Sequence, residues 1–308
     1  MLGVVWAVVG PTAVGKTALG IALAERLGTE VIGCDARQFY REMAIGTAAP
    51  TAEEQTRVAH HFVGQRSVTE DFSAGAYAAE ARPLLEGLLE RRGHVVVVGG
   101  SGLYLKALLD GLDEVPKSMP IREALTERYR EGGLGPLLAE LDAVDPVSGA
   151  RIDRANPQRV IRALEATLAG GRPFSSYHSD TPRPRPFHVV YVGLEGPAEW
   201  LTERIRTRTD HMIAAGWEAE ARALLPHRQQ NALQTVGYRE WFDAFDGKLV
   251  REDLAYTIAL HTRQYAKRQL TWFRKIPDVQ WFDARTPQRV MDWVEQHPLR
   301  NNPRTSAV

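Results

Sequence analysis

A single cysteine, Cys34, stands in a chain of 308 residues. One thiol excludes an internal disulfide framework and any multi-cysteine zinc module, and it fits a reducing compartment, so a cytoplasmic protein is expected. Charge of one sign is also lacking, because Lys+Arg and Asp+Glu both count 38. Attraction to a polyanion such as RNA must then come from local patches. Long apolar runs are missing too. The N-terminal run Val4 to Val9 is far shorter than a signal-peptide core or a membrane span, and no basic segment precedes it, so neither export nor membrane insertion is expected. The chain has no internal repeat and no extended low-complexity segment, and its 44% hydrophobic content suffices for a substantial core.

What is present alternates strand and helix signals. Val4 to Val9 is a β-branched run ending at a glycine, and the helical pattern Leu19, Leu23, Leu27 follows it and stops at Gly28. Glu30 to Gly33 predicts a second strand, Tyr77 to Leu89 a helix, and Val95 to Val98 a buried strand running into Gly99-Gly100. Between Pro120 and about Pro173 only helical segments occur, broken at Gly132-Gly133, Pro146 and Asn156-Pro157. The proline-rich stretch Thr181 to Pro186 then acts as a stiff connector, and Phe187 to Leu194 returns to strand. Helices follow over 198–215, 218–225 and 253–275, then a strand over 279–282 and a final helix from Pro287. The expected fold is α/β: a P-loop-containing parallel sheet flanked by helices, formed by residues 1–119 and 187–300, with an inserted all-helical subdomain and connector over 120–186. The tail 301–308 is polar and expected to be disordered.

Chemistry concentrates at Gly10-Pro11-Thr12-Ala13-Val14-Gly15-Lys16-Thr17, which matches G-x-x-x-x-G-K-[ST] between a predicted strand and a predicted helix. Such a loop turns successive N–H groups toward phosphate oxygens, while Lys16 adds a compact positive charge and Thr17 a hydroxyl suited to Mg²⁺. Nucleotide hydrolases and kinases usually add an acid after a second buried strand. Here Val98 is followed by Gly99-Gly100-Ser101-Gly102, and the acid at a strand end is instead Asp35. Two roles are open to Asp35, outer-sphere metal ligand or proton acceptor from a nucleophile, beside the plain alternative of an Asp capping a turn.

The phosphate loop, the stretch Cys34-Asp35-Ala36-Arg37-Gln38-Phe39-Tyr40 leading to Ile45-Gly46-Thr47-Ala48, and Gly99-Gly100-Ser101-Gly102-Leu103-Tyr104 together resemble the tRNA dimethylallyltransferases. So do Asn156 to Glu165 and Thr262 to Gln269 with the flanking Leu270 to Phe273. The resemblance implies transfer of a dimethylallyl group from dimethylallyl diphosphate to N6 of an adenosine beside the anticodon, with Mg²⁺ as cofactor. It implies a donor site at Gly10 to Thr17, with Thr17 toward the metal and Arg208 on the diphosphate, and Asp35, Thr17 and Arg208 as catalytic residues. It implies contacts to the tRNA anticodon stem-loop at Asp35, Ala36, Arg37, Gln38, Ser101, Arg122, Gln158, Arg159, Val160, Ile161, Arg162, Gln234, Thr235, Val236, Gly237, Tyr238 and Arg239. The chain departs from the family pattern at Ala36, Ala44, Ala49 and Ser101, where Ser, Asp, Lys and Thr are usual.

Two regions break the neutral average. Residues 151–185 hold seven arginines against Asp153, Glu165 and Asp180, and residues 261–275 hold five Lys/Arg and no acid. Either is a phosphate-contact patch or a solvated helix face. A target base must leave its stack to reach the donor, and Phe39, Tyr40, Tyr104 or Trp272 would stack on it unless they are core residues. His60-His61, read as neighbours on a helix, would diverge by about 100° and make a poor zinc pair. Cys34 reads as a small buried residue, and a monomer is expected. Prenylation of free adenine nucleotides, small-molecule kinase activity and a non-catalytic RNA-binding switch are the competing functions.

Overall fold

The computed structural model describes residues 1–178, 184–301 and 303; Thr181 to Arg183 of the expected connector and most of the expected tail lie outside them. The chain divides into two compact units, one formed by Met1–Gly111 with Arg185–Val308 and the other by Leu112–Pro184. The second unit thus begins several residues before the helical pattern does, because an extended segment precedes its first helix.

The first unit is built on a parallel six-stranded sheet in the order β3-β2-β4-β1-β5-β6. Its strands are β1 (Val4–Val9), β2 (Val31–Gly33), β3 (His60–His61), β4 (His94–Val98), β5 (His188–Glu195) and β6 (Gln280–Asp283). The helices up to Gly111 are α1 (Lys16–Leu27), α2 (Ala52–Arg57), α3 (Ala74–Arg92) and α4 (Gly102–Leu109). Side chains alternate across a strand, so a strand covered on both faces must be apolar throughout. In β1, Val5, Ala7 and Val9 pack with α3 and α4 through Tyr77, Leu85, Leu105 and Leu108, while Val4, Trp6 and Val8 pack with α1 through Leu19, Ile21 and Leu23. Registers Val5↔Val95 and Val5↔Val189 place β4 and β5 on either side of β1.

The second unit holds α5 (Met119–Gly132), α6 (Leu134–Val144), α7 (Pro146–Arg151) and α8 (Pro157–Gly170) around Leu125, Leu137, Leu141, Val160 and Leu164. Its breaks have local causes. Pro146 and Pro157 open helices where a missing N–H does no harm, and Asp145 and Asn156 cap them by accepting from Ser148 N at 3.0 Å and Arg159 N at 3.3 Å.

Back in the first unit, α9 (Ala198–Ala214), α10 (Trp217–Ala223), α11 (Tyr238–Phe245), α12 (Leu254–Phe273), α13 (Pro287–Gln296) and α14 (Pro298–Asn301) complete the fold. Residues from α10, α11 and the start of α12 form a further core with Tyr40 and Met43, among them Trp217, Tyr238, Trp241 and Ile258. Three sequence expectations are corrected. His60-His61 is an edge strand paired with β2, not part of a helix; His61 Nε2 lies 2.6 Å from Glu30 Oε2, and His60 Nδ1 lies 2.8 Å from Val58 O. Helix α11 carried no distinct signal, since its buried face is made by only Tyr238, Glu240, Trp241 and Phe242. Asn301, expected in a disordered tail, ends α14.

A side chain at Gly99 would run into the carbonyl of Cys34, because β4 and β2 converge there. Gly99→Ala should therefore lower stability by about 1–3 kcal/mol. Gly135→Ala, on an open face of α6, should raise it by about 0.5–1 kcal/mol. Urea denaturation of both variants checks the pair.

Candidate functional site

The loop between β1 and α1 is shaped by unusual backbone angles. Gly10 at φ 145° lies so close to the carbonyl of Leu194 that no side chain fits, and Gly15 at φ 106° is the cap residue of α1. Ala13 adopts φ 65°, a left-handed conformation that costs a non-glycine residue about 1–2 kcal/mol. Because no side chain caps α1, its first N–H groups stay available to an anion. Lys16 Nζ donates to Pro11 O at 2.7 Å, which leaves its other protons for a ligand.

This loop forms one wall of a cavity of about 700 Å³ at the carboxyl edge of the sheet, also lined by Asp35, Gln38, Gly99, Gly100 and Gln269. The opposite wall is one face of α9, where Trp200, Arg204, Thr207, Arg208 and His211 recur at helical spacing. Arg204 Nε donates to Ala13 O at 2.8 Å, and an Arg208 guanidinium N–H donates to Thr12 Oγ1 at 2.9 Å. The Nε of Arg208 is buried with no hydrogen-bond partner. The guanidinium of Arg208 lines the cavity, and a planar array of donors of this kind suits an oxyanion. Burial pushes the Lys16 ammonium down to about 8, opposed by the charge of Asp35 and reinforced by that of Arg208. Burial likewise pushes Arg208 down to about 10, with Asp35 opposing and Arg204 reinforcing. Both cations are thus held at a cost that a bound anion would relieve.

Asp35 stands two residues beyond β2. Its Oδ1 accepts from Arg37 N at 3.0 Å, so it caps a turn and lines the cavity at once. Ser101 Oγ accepts from Ala36 N at 2.9 Å, tying this turn to the loop after β4. The Gln38 amide donates to Thr47 O at 3.2 Å and Ala48 O at 3.1 Å, which fixes its orientation. A smaller cavity of about 90 Å³ joins Asp35, Arg37 and Arg208 to Thr235 and Val236. Gln234 and Arg239 are exposed nearby in sequence. The Thr17 side chain, which could offer a hydroxyl to a hard cation, lines the large cavity together with Asp35. Among the described residues no group of three or more His, Cys, Asp or Glu side chains is placed to hold a metal ion by itself.

Several residues expected at an RNA surface are elsewhere. Tyr238 is fully buried with its hydroxyl donating to Glu220, and Gly237 is packed under the ring of Trp217, so neither presents a side chain to a partner. Val160 and Ile161 belong to the core of the second unit, because they fall on the inner face of α8. Arg122 and Arg162 both pair with the buried Glu165, and Arg162 also donates to Val115 O and Pro116 O. Gln158 and Arg159 remain exposed. Of the four aromatics, Phe39 and Tyr40 are core and Tyr104 is half-buried with its hydroxyl on Phe72 O; Trp272 is 40% exposed. Cys34 is fully buried, and burial pushes its thiol far up, which leaves it inert. Sequence reading missed Gln269 as a site residue and the α9 face beyond Arg208; the i, i+4, i+7, i+8, i+11 spacing was the available signal.

The model of the IPP transferase family matches residues 38–276. The chain belongs to that family. It is 45% identical over 289 residues to the tRNA dimethylallyltransferase of Cytophaga hutchinsonii, covering 94% of this chain and 95% of that protein. The crystal structure of the full-length tRNA isopentenylpyrophosphate transferase of Bacillus halodurans is 35% identical, with a TM-score of 0.69 over 96% of each chain. The fold is also that of a eukaryotic dimethylallyltransferase, at 24% identity and a TM-score of 0.80 over 98% of this chain and 82% of that one.

Lys16 is charged below its depressed pKa of about 8 and neutral above it. Affinity for inorganic diphosphate with Mg²⁺ should fall about tenfold from pH 7 to pH 9 for this reason, and the fall should vanish in Lys16→Met. Isothermal calorimetry across that range measures it; a decline of equal size in the variant would assign the effect to another group.

Proposed function

We propose that the protein is a transferase that moves a dimethylallyl group from dimethylallyl diphosphate to N6 of the adenosine next to the anticodon, position 37, of tRNA, releasing diphosphate. The observation that carries this reading is the joint presence, in one cavity, of the phosphate loop, two desolvated cations and Asp35, with glycines where a nucleotide hydrolase would place its acid. Allylic transfer breaks the C1–O bond of the donor, forms the N6–C1 bond and sends the bonding electron pair out on diphosphate. Lys16, Arg208 and the N–H groups of α1 stabilise that developing charge. The exocyclic amine is a weak nucleophile, since its lone pair is delocalised into the ring, and Asp35 takes the N6 proton as the new bond forms. Thr17 would hold Mg²⁺, which when bound would add positive charge beside the leaving diphosphate.

The RNA side of the proposal rests on two exposed surfaces, each within its own unit. Along α12, Gln264, Lys267, Arg268, Thr271 and Trp272 follow one another at helical spacing and are all exposed, as is Lys275 just past its end, while Leu254, Ile258, Thr262, Ala266 and Gln269 face inward. Among the described residues no carboxylate lies within ion-pair distance of Lys267, Arg268 or Lys275. In the second unit, Gln158 and Arg159 stand at the start of α8. The proposal further sets the enzyme in the cytoplasm, as a monomer; no helix among the described residues is long and apolar enough to cross a membrane.

Labelled dimethylallyl diphosphate offered with Mg²⁺ and either tRNA or AMP tests the reading: label should enter tRNA, and label entering only AMP would sink it. Asp35→Ala should slow single-turnover transfer by about 10²–10⁴-fold while tRNA affinity stays within a few-fold. An unchanged rate would remove Asp35 from proton transfer. Replacing Lys267 and Arg268 by Ala should lower the log-log salt slope of tRNA binding by about 0.7 for each phosphate that is no longer neutralised, measured by filter binding at graded salt.

A further inference from the structure

Gln269 is buried, at 5% exposure, on the inner face of α12, and both ends of its side-chain amide are hydrogen-bonded. Its Oε1 accepts from the backbone N–H of Thr12 at 2.8 Å, and its Nε2 donates to Gly100 O at 2.8 Å. The two bonds join the phosphate loop to the loop after β4, positions 257 and 169 residues away in sequence. The fit is close on both sides. A side chain at Gly100 would collide with the Gln269 amide, so the glycine is what lets the amide in. Thr12 continues the linkage, because its hydroxyl accepts from Arg208.

We infer that Gln269 is a positioning residue for the donor diphosphate: by fixing the Thr12 peptide it sets the entrance of the phosphate loop and aims the guanidinium of Arg208 into the cavity. The inference rests on the transferase reading, whose donor site it refines. A side chain here must accept from one loop and donate to the other at the same moment, which a primary amide does and an aliphatic chain does not. It must also be uncharged. A carboxylate would face the lone pairs of Gly100 O and stand in the cavity that Lys16, Arg208 and Asp35 line, repelling a diphosphate. From α12, Gln269 thus sets a neutral group against the loop after β4, which organises the phosphate loop without competing for the anion.

Gln269→Leu and Gln269→Glu in the full chain test this. In Gln269→Leu the KM for dimethylallyl diphosphate and the calorimetric Kd for inorganic diphosphate with Mg²⁺ should both rise about tenfold or more, as expected when a buried N–H and a buried carbonyl lose their partner. The Kd for tRNA should stay within about twofold to threefold, since no RNA contact is assigned to this buried side chain. Gln269→Glu should bind diphosphate worse still near pH 8 and recover part of the loss near pH 6, where a protonated carboxyl again offers one donor and one acceptor. A merely structural role would not produce that pH-dependent recovery. Unchanged diphosphate affinity in folded Gln269→Leu would overturn the inference, as would a Gln269→Glu pH profile parallel to that of the wild type. Should Gln269→Leu fail to fold, the Gln269→Glu profile alone decides. Failure of the wild type to label tRNA would count against the transferase reading, whereas the diphosphate affinities test Gln269 separately.

Discussion

Two half-buried, desolvated cations with Asp35 beside them at the carboxyl edge of a parallel sheet set the terms for the rest of this molecule. Desolvation weakens the hold of Lys16 and Arg208 on their protons, and only Asp35 opposes it from within the cavity. The attraction of Asp35 partly offsets that desolvation, and an anion in the cavity would offset more of it. Every close approach nearby serves to keep those groups in place. Gly10 lets the phosphate loop pass under β5, Gly99 lets β4 meet the turn after β2, and Gly100 admits the Gln269 amide. The strained φ of Ala13 belongs to the same design, since the loop must turn its N–H groups inward within a few residues.

The sheet makes such tolerances possible. With β1 buried on both faces, its end points cannot shift without disturbing two cores, so the loop that leaves Val9 starts from a rigid position. Helix α12 contributes at three places along its length. Its first turns pack Leu254 and Ile258 into the core formed with α10 and α11, a later turn delivers Gln269 to the phosphate loop, and Trp272 lies against Gly102 with its indole partly open. The inner face of this helix reaches the phosphate loop and its outer face carries exposed basic residues, so one rigid element joins the two surfaces.

Much of this was legible beforehand, and the reasons differ from element to element. The phosphate loop could be read because its glycines, lysine and threonine perform a backbone task that few other residues permit, and because strand and helix signals flank it. The breaks at Gly132, Pro146 and Pro157 could be read because proline and glycine act locally. Surface residues were harder. Tyr238, Val160 and Ile161 lie in stretches rich in polar neighbours, but helix phase turns them inward, toward Glu220 and Trp217 in one case and toward Leu125 and Leu137 in the other. His60 and His61 follow a short helix, and a two-residue edge strand is too brief to leave a periodic signal.

By itself the sequence determined the α/β class, the glycine-bounded loop between β1 and α1, the placement of Asp35 beyond a buried strand and the helical character of the insertion, because each depends on local backbone preference or on periodicity within one segment. Only the tertiary structure decided which aromatics are core and which is open, which arginines are bound to Glu165, and that Gln269 spans two loops far apart in the chain. Those outcomes depend on distances between segments that meet only after folding, and no residue pattern within a single segment encodes them.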